Sequence, residues 1–218
     1  MALSSKKKYC YEYPHPAVTV DIVIFTIIDG KLKVLLIERS DNGKLAIPGG
    51  FVEINEDLDT AAKRELAEEA GVKDVFLEQL YTFGAPDRDP RERIITVAYY
   101  SLVSPDKAIQ AGSDAKAVGW YDVDIEEKKL AFDHYYILKC AVDRIRGKLE
   151  YTTIGFELLP ENFTLHQLQE VYEAILDEKL DTRNFRKKVL QQKCIVPIHK
   201  VTANVAHRPA KLYAKKGN

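Results

Sequence analysis

Sulfur is scarce in this chain, which has one methionine and three cysteines, Cys10, Cys140 and Cys194, in 218 residues. The cysteines are widely spaced, odd in number and without metal-ligand spacing. That argues against a disulfide framework and for a reduced, cytoplasmic setting. No apolar run approaches the length of about 18 residues needed to span a membrane. The first residues, MALSSKKKYCYEYPHP, are basic and then aromatic and polar, so no secretory leader is expected. Internal repeats and low-complexity tracts are absent as well.

Net charge is nearly absent too, at −1, but this balance hides an asymmetry. Residues 1–159 carry 21 Lys and Arg against 27 Asp and Glu, whereas residues 160–218 carry 11 against 6. Beyond Lys179 the only acid is Asp181. A change of sign along one chain points to two modules, the second with a polyanion as partner. With 46% hydrophobic and 30% charged residues, the composition is that of an ordinary globular protein.

VTVDIVIFTII (18–28) and KLKVLLIER (31–39) are rich in β-branched residues and flank Asp29-Gly30, a strong hairpin signal. The acidic stretch GGFVEINEDLDTAAKRELAEEAGV (49–72) reads as a loop and a helix, with Asn55 the expected cap and Gly71 the expected stop. Leu58, Ala61, Ala62 and Leu66 share one face of that helix. DVFLEQLYTFGAP and RIITVAYYSLV read as two strands around a polar loop, and AVGWYDV as a short third. EKKLAFDHYYILKCAVDRIRGKL (127–149) reads as a helical stretch, with Leu130, His134, Ile137, Leu138 and Val142 near helical period. His134 is ambiguous on its own and is assigned no role. EYTTIGFELLPENF has no clear period and reads as a link. Beyond it, the order helix (capped by Thr164), turn, basic helix and two extended segments is that of a winged helix-turn-helix.

Glu65, Glu68 and Glu69 fall within one helical turn, where like charges repel by roughly 0.2–0.5 kcal/mol per pair. A bare Glu-x-x-Glu-Glu is commonly a solvated surface. Hard divalent cations favour such oxygen ligands, however, particularly together with substrate phosphates. Here the stretch fits G-x5-E-x7-R-E-U-x-E-E-x-G-U at all nine specified positions: Gly50, Glu56, Arg64, Glu65, Leu66, Glu68, Glu69, Gly71 and Val72. It resembles the Nudix box, and the resemblance implies an α/β fold: a Nudix α/β/α sandwich with a mixed sheet, then a small winged helix-turn-helix domain. The implied domains are 1–150 (Nudix hydrolase), 151–160 (linker) and 161–218 (winged helix-turn-helix).

The family implies cleavage of a nucleoside diphosphate linked to another group, with Mg²⁺ or Mn²⁺. By resemblance Glu65, Glu68 and Glu69 bind the metal, with the Gly49 carbonyl a further ligand and Glu65 alternatively a base. Arg64 and Glu56 would orient them. Many relatives that act on ADP-ribose carry a glutamate three residues before an aromatic, where this chain has Ala117 before Trp120. A base outside the box is therefore Asp114, or the role falls to Glu65.

The loop FGAPDRDPRERI (83–94) offers Arg88 and Arg91 to phosphates and Asp87 or Asp89 to ribose hydroxyls, with Phe83 a neighbour of adenine. Its alternative is a loop held by its own salt bridges. With LAFDH (130–134) and the C-terminal segment, it is similar to ADP-ribose-binding Nudix-related transcriptional regulators. That similarity implies a recognition helix bearing Arg183, Asn184, Arg186, Lys187 and Lys188, a wing with His207, Arg208 and Lys211, and double-stranded DNA as partner. A homodimer is expected, with the strand AVTVDIVIF free to pair across it. The expected activities are hydrolysis of ADP-ribose or a relative, or nucleotide-controlled DNA binding with little turnover.

Overall fold

The computed structural model describes residues 11–73, 75–105, 118–201 and 209–216. β1 (Ala17–Ile28) and β2 (Lys31–Glu38) form the expected antiparallel hairpin, Phe25 facing Val34 and Ile28 facing Lys31. Asp29 and Gly30 turn the chain with φ of 52° and 71°, as a type I′ turn requires. β3 (Leu45–Ala46) and β4 (Gly49–Phe51) are short, and β4 pairs with the first half of β1, placing Gly49 opposite Asp21. β5 (Phe76–Phe83), β6 (Ile94–Leu102) and β7 (Val118–Asp122) complete a seven-stranded sheet. β6 runs parallel to β1 and the other pairings are antiparallel. The sheet is mixed.

β1 alternates between two cores, as a period of two requires. Val20, Ile22 and Ile24 pack with Ala61, Ala62 and Leu66 of α1 (Leu58–Ala70). Val23 and Phe25 pack on the other face with Ile137, Leu138 and Ile145 of α2 (His134–Lys148). The result is an α/β/α sandwich. Flanked by β6 on one side and by β4 and β2 on the other, β1 is central, so the expected pairing of this strand across a dimer is not available.

Two helix boundaries differ from the sequence reading. Asp57, not Asn55, caps α1 by accepting from the Thr60 amide at 2.7 Å. The stretch 127–149 is not one helix: after a 3-10 turn at Glu127–Lys129, Leu130 bridges to Leu45 and the Ala131 amide donates to the Leu45 carbonyl. Pairing with β3 draws these residues out, and α2 begins only at His134.

Thr164 caps α3 (Leu165–Leu176) in a capping box with Gln167. Asp181 caps α4 (Thr182–Gln192), and β8 (Ile195–Val201) pairs antiparallel with β9 (Lys211–Lys215). The stretch expected as a linker contains a 3-10 helix, Ile154–Leu158, in which Ile154, Phe156 and Leu158 are buried. These side chains join the core beneath α2 to Leu168, Val171, Ile175, Phe185 and Val189 of the C-terminal helices. One apolar core therefore runs through both modules.

Candidate functional site: the acidic helix and the arginine loop

The acidic helix lies beside β4, and its first contact with the strand is steric. The Glu65 carboxylate sits over Gly50 so closely that any side chain there would overlap it. Gly71, at the other end, adopts φ 66° and terminates the helix with its amide on the Leu66 carbonyl. Arg64 is the organiser. It reaches Glu56 through Nε (3.1 Å) and Nη2 (2.6 Å), Glu65 through Nη1 (2.6 Å) and the Phe51 carbonyl at 3.1 Å. The guanidinium holds the Glu56 carboxyl below the ordinary range and is itself raised by its two glutamates. Glu56 also accepts from the Glu53 amide at 2.8 Å, closing the loop before the helix.

The three metal-binding candidates share a turn and have different partners. Glu65 is buried against Arg64. Glu68 is exposed, 3.4 Å from the same guanidinium. Glu69 turns inward and accepts from the Gly49 amide at 2.7 Å, and burial raises its carboxyl above the ordinary glutamate value. Among the described residues no group of three or more His, Cys, Asp or Glu is gathered to hold a metal. An arginine holds one of these carboxylates and a backbone amide another. The Gly49 amide ties β4 to the acidic helix. The donor set is all carboxylate oxygen, which suits Mg²⁺ or Mn²⁺.

A cleft of about 220 Å³ brings the helix and the arginine loop together, lined among others by Asp21, Gly49, Glu69, Arg88, Arg91 and Phe132. Half-exposed Phe51 and Arg91 form the open side of its lining. Arg88 is buried and grips Asp133 with two hydrogen bonds (Nε 3.0 Å, Nη2 2.7 Å), with Asp21 at 3.4 Å. Arg91 forks onto Asp89, which lowers the Asp89 carboxyl and raises the guanidinium. Both arginines are therefore held by acids of their own chain, and Asp89, itself in the lining of the cleft, is paired with Arg91. Arg39, forked onto Asp41, and Arg91 both lie over the Phe132 ring, at 4.7 and 5.1 Å.

Phe83 is not among the residues lining the cleft; it packs edge-on against Tyr81 and on the α2 core. His134 is buried, and its Nδ1 accepts from the Ile47 amide at 2.9 Å, so the ring is neutral with its proton on Nε2, 3.9 Å from Asp21. Burial holds its pKa below the ordinary value. Sequence reasoning missed Asp21 and Arg39, and reached Phe132 and Asp133 only within LAFDH, without a role. One signal was present: Asp21 is the single charge in VTVDIVIFTII. Asp114 and Ala117 lie outside the described residues, as do His207 and Arg208.

In the C-terminal module α4 buries only Phe185 and Val189. Arg183, Asn184, Arg186, Lys187 and Lys188 are all exposed on it. α4 thus presents a run of exposed basic side chains.

Residues 17–139 match the NUDIX domain model, and residues 155–214 match that of the NrtR DNA-binding winged helix domain. A relative from Acinetobacter baylyi, an ADPR responsive transcriptional repressor, is 35% identical over 93% of this chain and 83% of its own length. An ADP-ribose pyrophosphatase of Methanocaldococcus jannaschii is 41% identical over 61% of this chain and 76% of its own. Shewanella oneidensis NrtR, solved with a 27mer DNA, superposes with a TM-score of 0.81 at 35% identity, over 91% of this chain and 93% of that one. The chain thus belongs to the Nudix family, in the branch that carries an NrtR-type winged helix after the Nudix domain.

Proposed function

We propose that this protein is a Mg²⁺- or Mn²⁺-dependent Nudix hydrolase that cleaves the pyrophosphate of ADP-ribose, or of a related nucleoside diphosphate derivative, and that its winged helix binds double-stranded DNA. The observation that supports this most is the single cleft lined by Glu69 of a complete box and by Arg88 and Arg91. The named relatives, an ADP-ribose pyrophosphatase and an ADPR responsive repressor, support the same ligand class. Nudix proteins generally use divalent cations. Glu65, Glu68 and Glu69 would hold the cation, which when bound neutralises phosphate charge and makes a water acidic enough to attack. Arg64 orients Glu65 through its bond at 2.6 Å, and Gly50 keeps space for that carboxylate. Arg91, half-exposed, would reach the diphosphate by exchanging its bond to Asp89, with Arg88 buried beside it in the cleft. The water oxygen adds to one phosphorus as the bridging oxygen leaves, giving AMP and ribose 5-phosphate. The proton goes to Glu65 or to Asp114.

Purified protein with Mg²⁺ and ADP-ribose is expected to release AMP. Glu68→Gln, at an exposed position, is expected to remove release without changing the melting temperature. No turnover across a panel of nucleoside diphosphates would refute hydrolysis.

A second reading is a nucleotide-controlled DNA-binding regulator, acting as a homodimer, with weak turnover or none. It is favoured by the similarity to an ADPR responsive repressor over most of the chain. Salt-sensitive binding to duplex DNA, changed by ADP-ribose, is its test. A binding selection that returns no preferred sequence would count against it.

A further inference from the structure

Asp133 stands where an aspartate ordinarily caps a helix, yet its side chain makes no capping bond to α2. Both carboxylate oxygens face Arg88 instead, at 3.0 and 2.7 Å. The backbone is unusual at the same place: Phe132 has φ 53°, a region that bulky residues avoid, and Asp133 has φ −95° and ψ 17°. Such conformations persist only where their surroundings impose them, and they cluster at ligand clamps and switch regions. The side chain of Arg88 is 3% exposed and lines the cleft beside Glu69. A phosphate that draws on Arg88 therefore draws on the first turn of α2.

The far end of α2 is anchored to the second module. The helix has 15 residues, about 22 Å at 1.5 Å per residue. In its last turn, Arg146 Nε donates to the Ile175 carbonyl, in the last turn of α3, at 2.9 Å. Beyond Ile175 the turn into α4 is braced by Gln169, whose side-chain amide donates to Glu173 (2.8 Å), to the Leu180 carbonyl (3.0 Å) and to Thr182 (3.2 Å). The turn after Ile175 is thus bonded to the start of α4 rather than left loose.

We propose that Asp133 is a positioning residue that ties Arg88 to the start of α2, and that α2, anchored to α3 through Arg146, carries nucleotide binding in the cleft to the DNA-facing helix. This rests on the reading above, in which the cleft takes a nucleoside diphosphate and α4 faces DNA.

The experiment measures the affinity for ADP-ribose alone, the affinity for a duplex recovered by selection, and the factor by which a saturating amount of the first changes the second. In the wild-type protein this factor is expected to be about 5–150-fold, the usual span of coupling between sites. Arg146→Met keeps the apolar stem and removes the donor. It is expected to leave each separate affinity within about twofold while the factor falls toward one. Asp133→Asn is expected to weaken ADP-ribose binding and also to collapse the factor, and should it fail to fold, Arg146→Met decides alone. A wild-type factor retained in Arg146→Met overturns the proposal. A wild-type protein that binds both partners with a factor of one overturns it too, leaving the ligand reading intact. A wild-type protein that binds no nucleotide removes that reading and the proposal with it.

Discussion

The carboxylate of Glu65 rests on the backbone of Gly50, with both of its oxygens inside the volume a Cβ at that position would fill. Glycine there is a requirement of contact with the acid, not of backbone angle. Gly50→Ala is expected to push Glu65 away from Arg64 and lower AMP release by about 10²-fold, the usual effect of a misplacement near 1 Å. Turnover of Gly50→Ala at the wild-type rate would show that Glu65 is not held where the chemistry needs it.

His134 makes stability sensitive to acid. Its Nδ1 accepts from the Ile47 amide, and burial holds its pKa below the ordinary 6.5. Below that value the unfolded chain binds a proton that the folded chain refuses, so stability falls as pH drops through 6.5 and goes on falling to the folded pKa. In His134→Asn a neutral oxygen replaces Nδ1. Urea titrations from about pH 7 to about pH 5 are expected to give a shallower loss for the variant than for the wild type. Equal slopes would mean that His134 does not drive the acid limb.

The exposed cations of α4 are expected to set the response of DNA binding to salt. For Arg186→Ala and Lys187→Ala, each lost phosphate contact is expected to reduce the slope of log affinity against log salt by about 1. A slope unchanged in both variants would place the DNA elsewhere.

Phe156 stands at the junction of the two modules, buried, with its ring 5.5 Å from that of Phe163. Phe156→Ala is expected to cost about 3–5 kcal/mol. Calorimetry is expected to show one transition moving to lower temperature, because a single core links α2 to the C-terminal helices. Two separable transitions would contradict that continuity.

Local signals were legible and remote ones were not. The Asp29-Gly30 turn, the apolar face of α1, the Thr164 cap and the box each depend on residues a few positions apart, within reach of propensity and spacing. The cap of α1 shows how local competition is decided: Asn55 and Asp57 both suit the role, and only the path of the chain after β4 selects Asp57. The interruption at Leu130–Asp133 follows from pairing with Leu45, 85 positions earlier, which no helical period records.

What the amino-acid sequence determined by itself was the inventory: a complete acidic box, an arginine loop and a basic C-terminal module. What only the tertiary structure decided was which charges meet. Arg88 finds Asp133 and Asp21, 45 and 67 positions away, and Arg64 bonds Glu65, which the resemblance assigns to a metal. Hydrophobic period is a short-range property of the chain, whereas a buried charge is satisfied by whatever partner the packed sheet and helices bring within hydrogen-bonding distance.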